Sequence, residues 1–167
     1  MAVPVTVLLI LLLNRGALTS PAPSPPSTQP ASSGALGPVD VVPPPASAAA
    51  DRSCPAVISR LPVTLAGQRS RPARSSSRYV AAWGEPPLVL RCGMPRPAGF
   101  VRASALTVVN GVQWYVDPGP AAAVWTVVDR PVYVELSVPA AYSSAPVVDL
   151  AKDITDALPA RPIHPGG

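Results

Sequence analysis

Two cysteines, one histidine and a scatter of carboxylates are the groups in this chain that could do covalent or acid–base chemistry. Cys54 and Cys92 are the whole thiol inventory. An even count in an exported domain reads as a disulfide, here closing a loop of about forty residues and worth roughly 3–4 kcal/mol in the chain-entropy model. Two free buried thiols, or a lipid-modified Cys54, are the alternatives. The polar run Asp51-Arg52-Ser53 speaks against lipidation, where small and aliphatic residues are wanted. A metal site needs more ligands than two distant cysteines and one histidine supply, so no metal or other cofactor is expected. A nucleophile needs a neighbouring base, and the single histidine, His164, lies in a Pro- and Gly-rich tail. Paired carboxylates could still do acid–base work. Asp149, Asp153 and Asp156 fall on the wet side of a helical pattern, and Asp117 and Asp129 sit at turns, where aspartate is ordinary. Glu85 and Glu135 remain, far apart in sequence. A cross-strand ion pair of Glu135 with Arg91 explains Glu135 without catalysis, and no catalytic residue is assigned.

The basic residues carry a second possibility. The formal charge is +4, and Lys152 is the one lysine. Between Arg52 and Gly84 there are six arginines and no acid. Arg69, Arg71, Arg74 and Arg78 fall in a polar stretch, Gln68 to Arg78, that reads as a loop able to contact phosphates of anionic lipid or of a cell-wall polymer. No aromatic residues interleave these arginines, which disfavours nucleic acid. A solvated loop in an arginine-biased protein is the bland alternative. Tyr115, Tyr133, Arg91 and Glu135 share the side of their strands away from the stronger apolar sets, and form the candidate binding surface if one sheet face is open.

The elements that must position these residues are legible in the apolar pattern. Ser53 as a cap, Pro55 in the first turn and Pro62 as a stop predict a short helix burying Val57, Ile58 and Leu61. Leu88 to Cys92 predicts a strand ended by Gly93. Ala105 to Val109 and Val112 to Val116 flank Asn110-Gly111, the strongest short hairpin signal. Val124 to Val128 and Val132 to Val138 flank Asp129-Arg130 and predict a second hairpin; Val132, Val134, Leu136 and Val138 alternate with Tyr133, Glu135 and Ser137. Ser144, Pro146 and the stripe Val147, Leu150, Ala151, Ile154 and Leu158 predict a closing helix, ended by Pro159. The expected fold class is α+β: a small antiparallel sheet of two hairpins and one further strand, with both helices packed on one face.

Ahead of this lies an apolar run, Ala2 to Leu13, of the length of a signal h-region and shorter than a bilayer span. No Lys or Arg precedes it, which leaves open whether the leader is cleaved, stays as an anchor, or once began further upstream. The expected organisation is a signal peptide or signal anchor over 1–19, a Pro/Ala/Ser-rich disordered stalk over 20–51, one domain over 52–160 and a flexible tail over 161–167. The expected location is extracytoplasmic, secreted or at the outer face of the membrane.

Several stretches together resemble a known family. They are Cys54-Pro55 with Leu61-Pro62, Ala82-Trp83-Gly84-Glu85-Pro86-Pro87 running into Leu88-Val89-Leu90-Arg91-Cys92-Gly93, Val109-Asn110-Gly111-Val112-Gln113-Trp114, Arg130-Pro131-Val132-Tyr133-Val134-Glu135, and Val138-Pro139. They are similar to the actinobacterial domain of unknown function 3515, whose members look like small exported or membrane-anchored proteins. The resemblance implies a compartment but no activity, and transfers no catalytic or binding residue. The expected function is therefore a non-catalytic binding or structural role in the cell envelope. The alternatives are an accessory subunit docking on a membrane protein, and a hydrolase using carboxylates.

Overall fold

The computed structural model describes residues 36–167. The expected leader and the first part of the expected stalk lie outside the described residues. From Leu36 onward the order is β1 (Val39–Asp40), α1 (Ala48–Ile58), β2 (Thr64–Leu65), β3 (Gln68–Arg71), β4 (Ala73–Arg74), β5 (Val80–Trp83), β6 (Leu88–Met94), β7 (Leu106–Val109), β8 (Val112–Asp117), β9 (Ala122–Val127), β10 (Tyr133–Pro139) and α2 (Ala145–Ala157). Eight strands join in the order β2-β3-β5-β6-β10-β9-β8-β7, every pairing antiparallel. The fold class is α+β, as the alternation implied.

Both predicted hairpins form. At Asn110-Gly111 both residues take positive φ, 47° and 78°, the type I′ geometry whose twist matches that of the strands. Register then sets the core: Cys92, Val134, Val127 and Trp114 lie opposite one another in one row across four strands, and each is fully buried. Leu90, Leu136 and Trp125 make the next row, with Trp125 edge-on to Trp114 at 6.3 Å. The α2 stripe Val147, Leu150, Ala151 and Ile154 is fully buried in the same core. Helix α1 reaches the sheet through a disulfide, Cys54–Cys92, with the two Cα atoms 5.7 Å apart. Beside it, Gly93 has φ +92°, and a Cβ there would stand 2.6 Å from the Ala50 Cβ. Glycine is what lets helix and strand approach this closely.

Four local expectations are corrected. Helix α1 starts at Ala48, capped by the Ser47 hydroxyl accepting from Ala50 N–H at 3.1 Å; Ser53 and Pro55 lie inside it. Pro55 is the eighth residue of α1, so the helix forgoes the backbone bond that an N–H there would have donated to Asp51 O. The stalk does not run to residue 51: Val39 and Asp40 pair in parallel with Ala73 and Arg74, and Val41 is buried. The Arg-rich stretch is not a loop but holds β3 and β4. Finally, the tail is docked, with Arg161 N–H donating to Asp129 O at 2.9 Å and Gly166 N–H to Phe100 O at 2.8 Å. Backbone pairing along the sheet margin holds segments whose side chains carry no apolar pattern.

Candidate functional site

On the sheet face away from the helices, register aligns Arg91, Glu135, Thr126 and Tyr115 in one row across β6, β10, β9 and β8. Each occupies an out-facing position between core residues, which is why four strands deliver polar groups to one line. Arg91 donates to Glu135 through Nε at 3.1 Å and through Nη2, both to Oε1. Glu135 is 9% exposed and Thr126 1%. Because Arg91 engages Oε1 alone, Oε2 remains an acceptor with no hydrogen-bond partner among the described residues.

This face is not open as expected. After β6 the chain returns over it as Pro95–Ala105, and Phe100, 1% exposed, packs on Tyr115 with ring centroids 5.6 Å apart. Gly99 lies so close to the Tyr115 hydroxyl that any side chain there would clash. The docked tail adds a second strap: Val101 bridges Gly166 in parallel, and Tyr133 Oη donates to His164 O at 3.4 Å. Burial pushes the Tyr133 phenol above its ordinary value, against a smaller opposing effect of nearby Arg96. Tyr115 and Tyr133 therefore anchor the cover and do not line an open surface. Aromatic residues on a wet sheet face were the missed signal, since each has found a partner in a segment read as coil.

What the cover leaves is a groove of about 410 Å³, with Arg91, Glu135, Thr126, Val124 and Asp117 along the sheet and Met94–Ala98 as its wall. Two cations, Arg91 and Arg96, and two acids, Glu135 and Asp117, share it. Asp117, set aside in the sequence as a turn residue, thus shares a groove with Glu135, while Glu85 does not. Glu85 pairs with Arg71 at 2.5 Å on the other side of the sheet order.

The four loop arginines separate. Arg71 is spent internally, donating to Gly37 O, Gly84 O and Glu85. Arg74 pairs with Asp40 at 3.1 Å, an exposed contact. Arg78 donates to Tyr79 Oη at 2.8 Å and sits 5.0 Å over its ring, and Tyr79 in turn donates to Asp51. The Tyr79 hydroxyl raises the Arg78 pKa further, and the guanidinium remains charged. Arg69 is exposed and has no ion-pair partner among the described residues. Of the four, Arg71 is the one whose side chain these bonds withdraw from solvent. One further polar pair was missed altogether: Asp129 and Arg130, read as a plain turn, are buried at 3% and 8% exposure and paired at 2.7 Å. Consecutive charges at a hairpin connection carry no sequence mark of burial.

Among the described residues no group of three or more potential metal ligands occurs, and no helix is long and apolar enough to cross a membrane. Comparison with curated proteins and with solved structures yields no match. The model of one family, described as protein of unknown function (DUF3515), matches residues 2–163, nearly the full length. The chain belongs to the DUF3515 family.

Proposed function

We propose that this protein is an exported or membrane-anchored envelope component that binds its ligand without catalysis in the groove of Arg91, Glu135, Thr126 and Asp117. The observation that carries the reading is Glu135, a nearly buried carboxylate that lines the groove, fixed by Arg91 through one oxygen and with no hydrogen-bond partner for the other among the described residues. Balanced charge in the groove suits a ligand rich in both donors and acceptors, such as a cell-wall polymer, better than a purely anionic lipid headgroup. The apolar run at Ala2–Leu13 and the Cys54–Cys92 disulfide support an extracytoplasmic setting, because disulfides persist in oxidising compartments.

The hydrolase alternative gains one specific observation, two acids in one groove. Asp117 lies opposite Val124, and Glu135 opposite Thr126, so the acids are two strands and two residues apart. Strand spacing and rise put their Cα atoms roughly 12 Å from each other. Glu135 is engaged by Arg91 and Asp117 is exposed to water, so the two are not arranged as a coupled acid and base. Binding is therefore preferred. The test is co-sedimentation of the full chain with purified cell-wall material and with anionic vesicles. Glu135→Gln and Arg91→Met are expected to weaken wall retention about tenfold, as loss of a charge-assisted contact implies. Wall retention indifferent to both substitutions would sink the groove as the binding site, and release of soluble sugar by the parent alone would favour the hydrolase.

A further inference from the structure

Strand β7 ends the eight-stranded sheet, and its free edge has a definite hydrogen-bonding pattern. In a two-residue hairpin the closing residues, Val109 and Val112, exchange both backbone bonds, and alternation then makes Thr107 and Trp114 the next bonded pair. Val108 and Leu106 are the intervening positions, so their N–H and C=O groups point away from β8. An independent contact agrees: Gln113, opposite Val108, directs its carbonyl to Val128 N–H on the β9 side at 3.0 Å. Neither Leu106 nor Val108 has another backbone partner among the described residues.

Natural sheets protect such edges with shortness, proline or charge. The opposite edge, β2, has these devices: it is two residues long, follows Pro62 and Val63, and runs beside Arg69. Strand β7 has none. No charged residue occurs from Ala103 to Val116, and Val108 is 66% exposed. Exposed Val148, at 45%, adjoins the hairpin, where Asn110 Nδ2 donates to its carbonyl at 3.3 Å.

We infer that β7 is an interface for a second copy of this chain, paired antiparallel about a two-fold axis at Thr107. In that register Leu106 of one copy faces Val108 of the other, and the four outward main-chain groups of each copy find four complementary groups on its partner. Thr107 then faces Thr107 across the axis, a favourable cross-strand pair. The same residues meet themselves, as an isologous interface demands. The absence of charge removes both like-charge repulsion between copies and any electrostatic selection of a different partner. An interface one short strand wide belongs to the small, weak class, with dissociation on the order of 100 µM.

The test uses the full chain and its Val108→Pro and Val108→Lys variants, so that association through the apolar N-terminus is common to all three. Proline at 108 removes an outward N–H and no internal ladder bond, and lysine adds an edge charge. Sedimentation is expected to move toward twice the starting mass between roughly 10 µM and 1 mM for the parent and to lose that shift in both variants. Over the same range the Leu106 and Val108 amides should gain protection from hydrogen exchange of about fourfold, the fall in the free-chain fraction at that dissociation constant, while those of Thr107 and Val109 are protected throughout. If the parent gains no mass, if both variants associate as the parent does, or if the Leu106 and Val108 amides exchange equally fast at every concentration, the interface is not β7. Should one variant fail to fold, the other and the amide pattern in the parent decide.

Discussion

Replacing Cys54 and Cys92 together by serine, or reducing the bond in the parent, removes the covalent tie between α1 and the centre of the sheet. The two residues are separated by 38 positions, and the chain-entropy model assigns closure of such a loop about 3.9 kcal/mol at 25 °C. Both sulfur-bearing residues are fully buried, so the serine pair also places hydroxyls in an apolar setting, and reduction is the cleaner perturbation. For a folded unit of about 130 residues, 3.9 kcal/mol corresponds to a fall in Tm of roughly 12–20 °C. The assay is urea or thermal unfolding followed by circular dichroism, with and without reductant, and mass after alkylation reports the thiol state. The oxidised protein is expected to resist alkylation even when unfolded without reductant, because a disulfide offers no thiolate to react. An unchanged midpoint in fully reduced protein would refute the entropic reasoning. Free alkylation of both residues before reduction would refute the bond itself.

Three further outcomes follow from the packing. Gly93→Ala forces a Cβ against Ala50 at a positive φ, and should destabilise by about 2–4 kcal/mol in denaturant titration, with no loss of the disulfide. Asp129→Asn leaves Arg130 buried without its carboxylate, and should cost about 3 kcal/mol; a change under about 1 kcal/mol would show that the Asp129 and Gly111 carbonyls suffice for the guanidinium. Tyr133 is held neutral by burial, so the stability it contributes is complete below the ordinary tyrosine value and is lost as pH rises through the higher folded value. Ultraviolet titration should show this phenol ionising late, and removal of the residues after Pro162, which takes away the His164 carbonyl, should bring it back toward the ordinary value.

What the sequence made legible was whatever has a period or a steric signature. Strand β10 alternates strictly, α2 repeats its stripe, and Asn110-Gly111 leaves the hairpin little choice. The core rows through Leu90, Leu136, Cys92 and Val134 followed directly, and so did the Arg91–Glu135 pairing. The misreadings lie where backbone bonding acts alone. Strands β3 and β4 expose both faces to water, so no alternation marks them. The Pro-rich segment before α1 looks like spacer, yet its carbonyls serve the fold: Gly37 O accepts from Arg71 at 2.8 Å. Composition likewise marked the last seven residues as mobile, although Tyr133 and Phe100 give them somewhere to dock. The site shows the same division. Its floor was visible because strand register is regular; its wall, Met94–Ala98, and its second acid, Asp117, depended on a long-range return of the chain that no local pattern encodes.

The clamp on Leu36–Val41 has a mechanical meaning. Tension applied to the chain from its N-terminal side would first load the two-residue ladder of β1 with β4, the Arg71 bonds to Gly37 and the Arg74–Asp40 pair. Once these yield, extension can proceed through the first turns of α1 only as far as Cys54, where the disulfide passes the load to the central strand β6. Eighteen residues drawn straight span at most roughly 60 Å, which bounds the travel before the eight-stranded sheet is strained. The fold thus contains a short extensible arm with a covalent stop, and a pulling experiment should record one weak early event separated by no more than that length from a much stronger one.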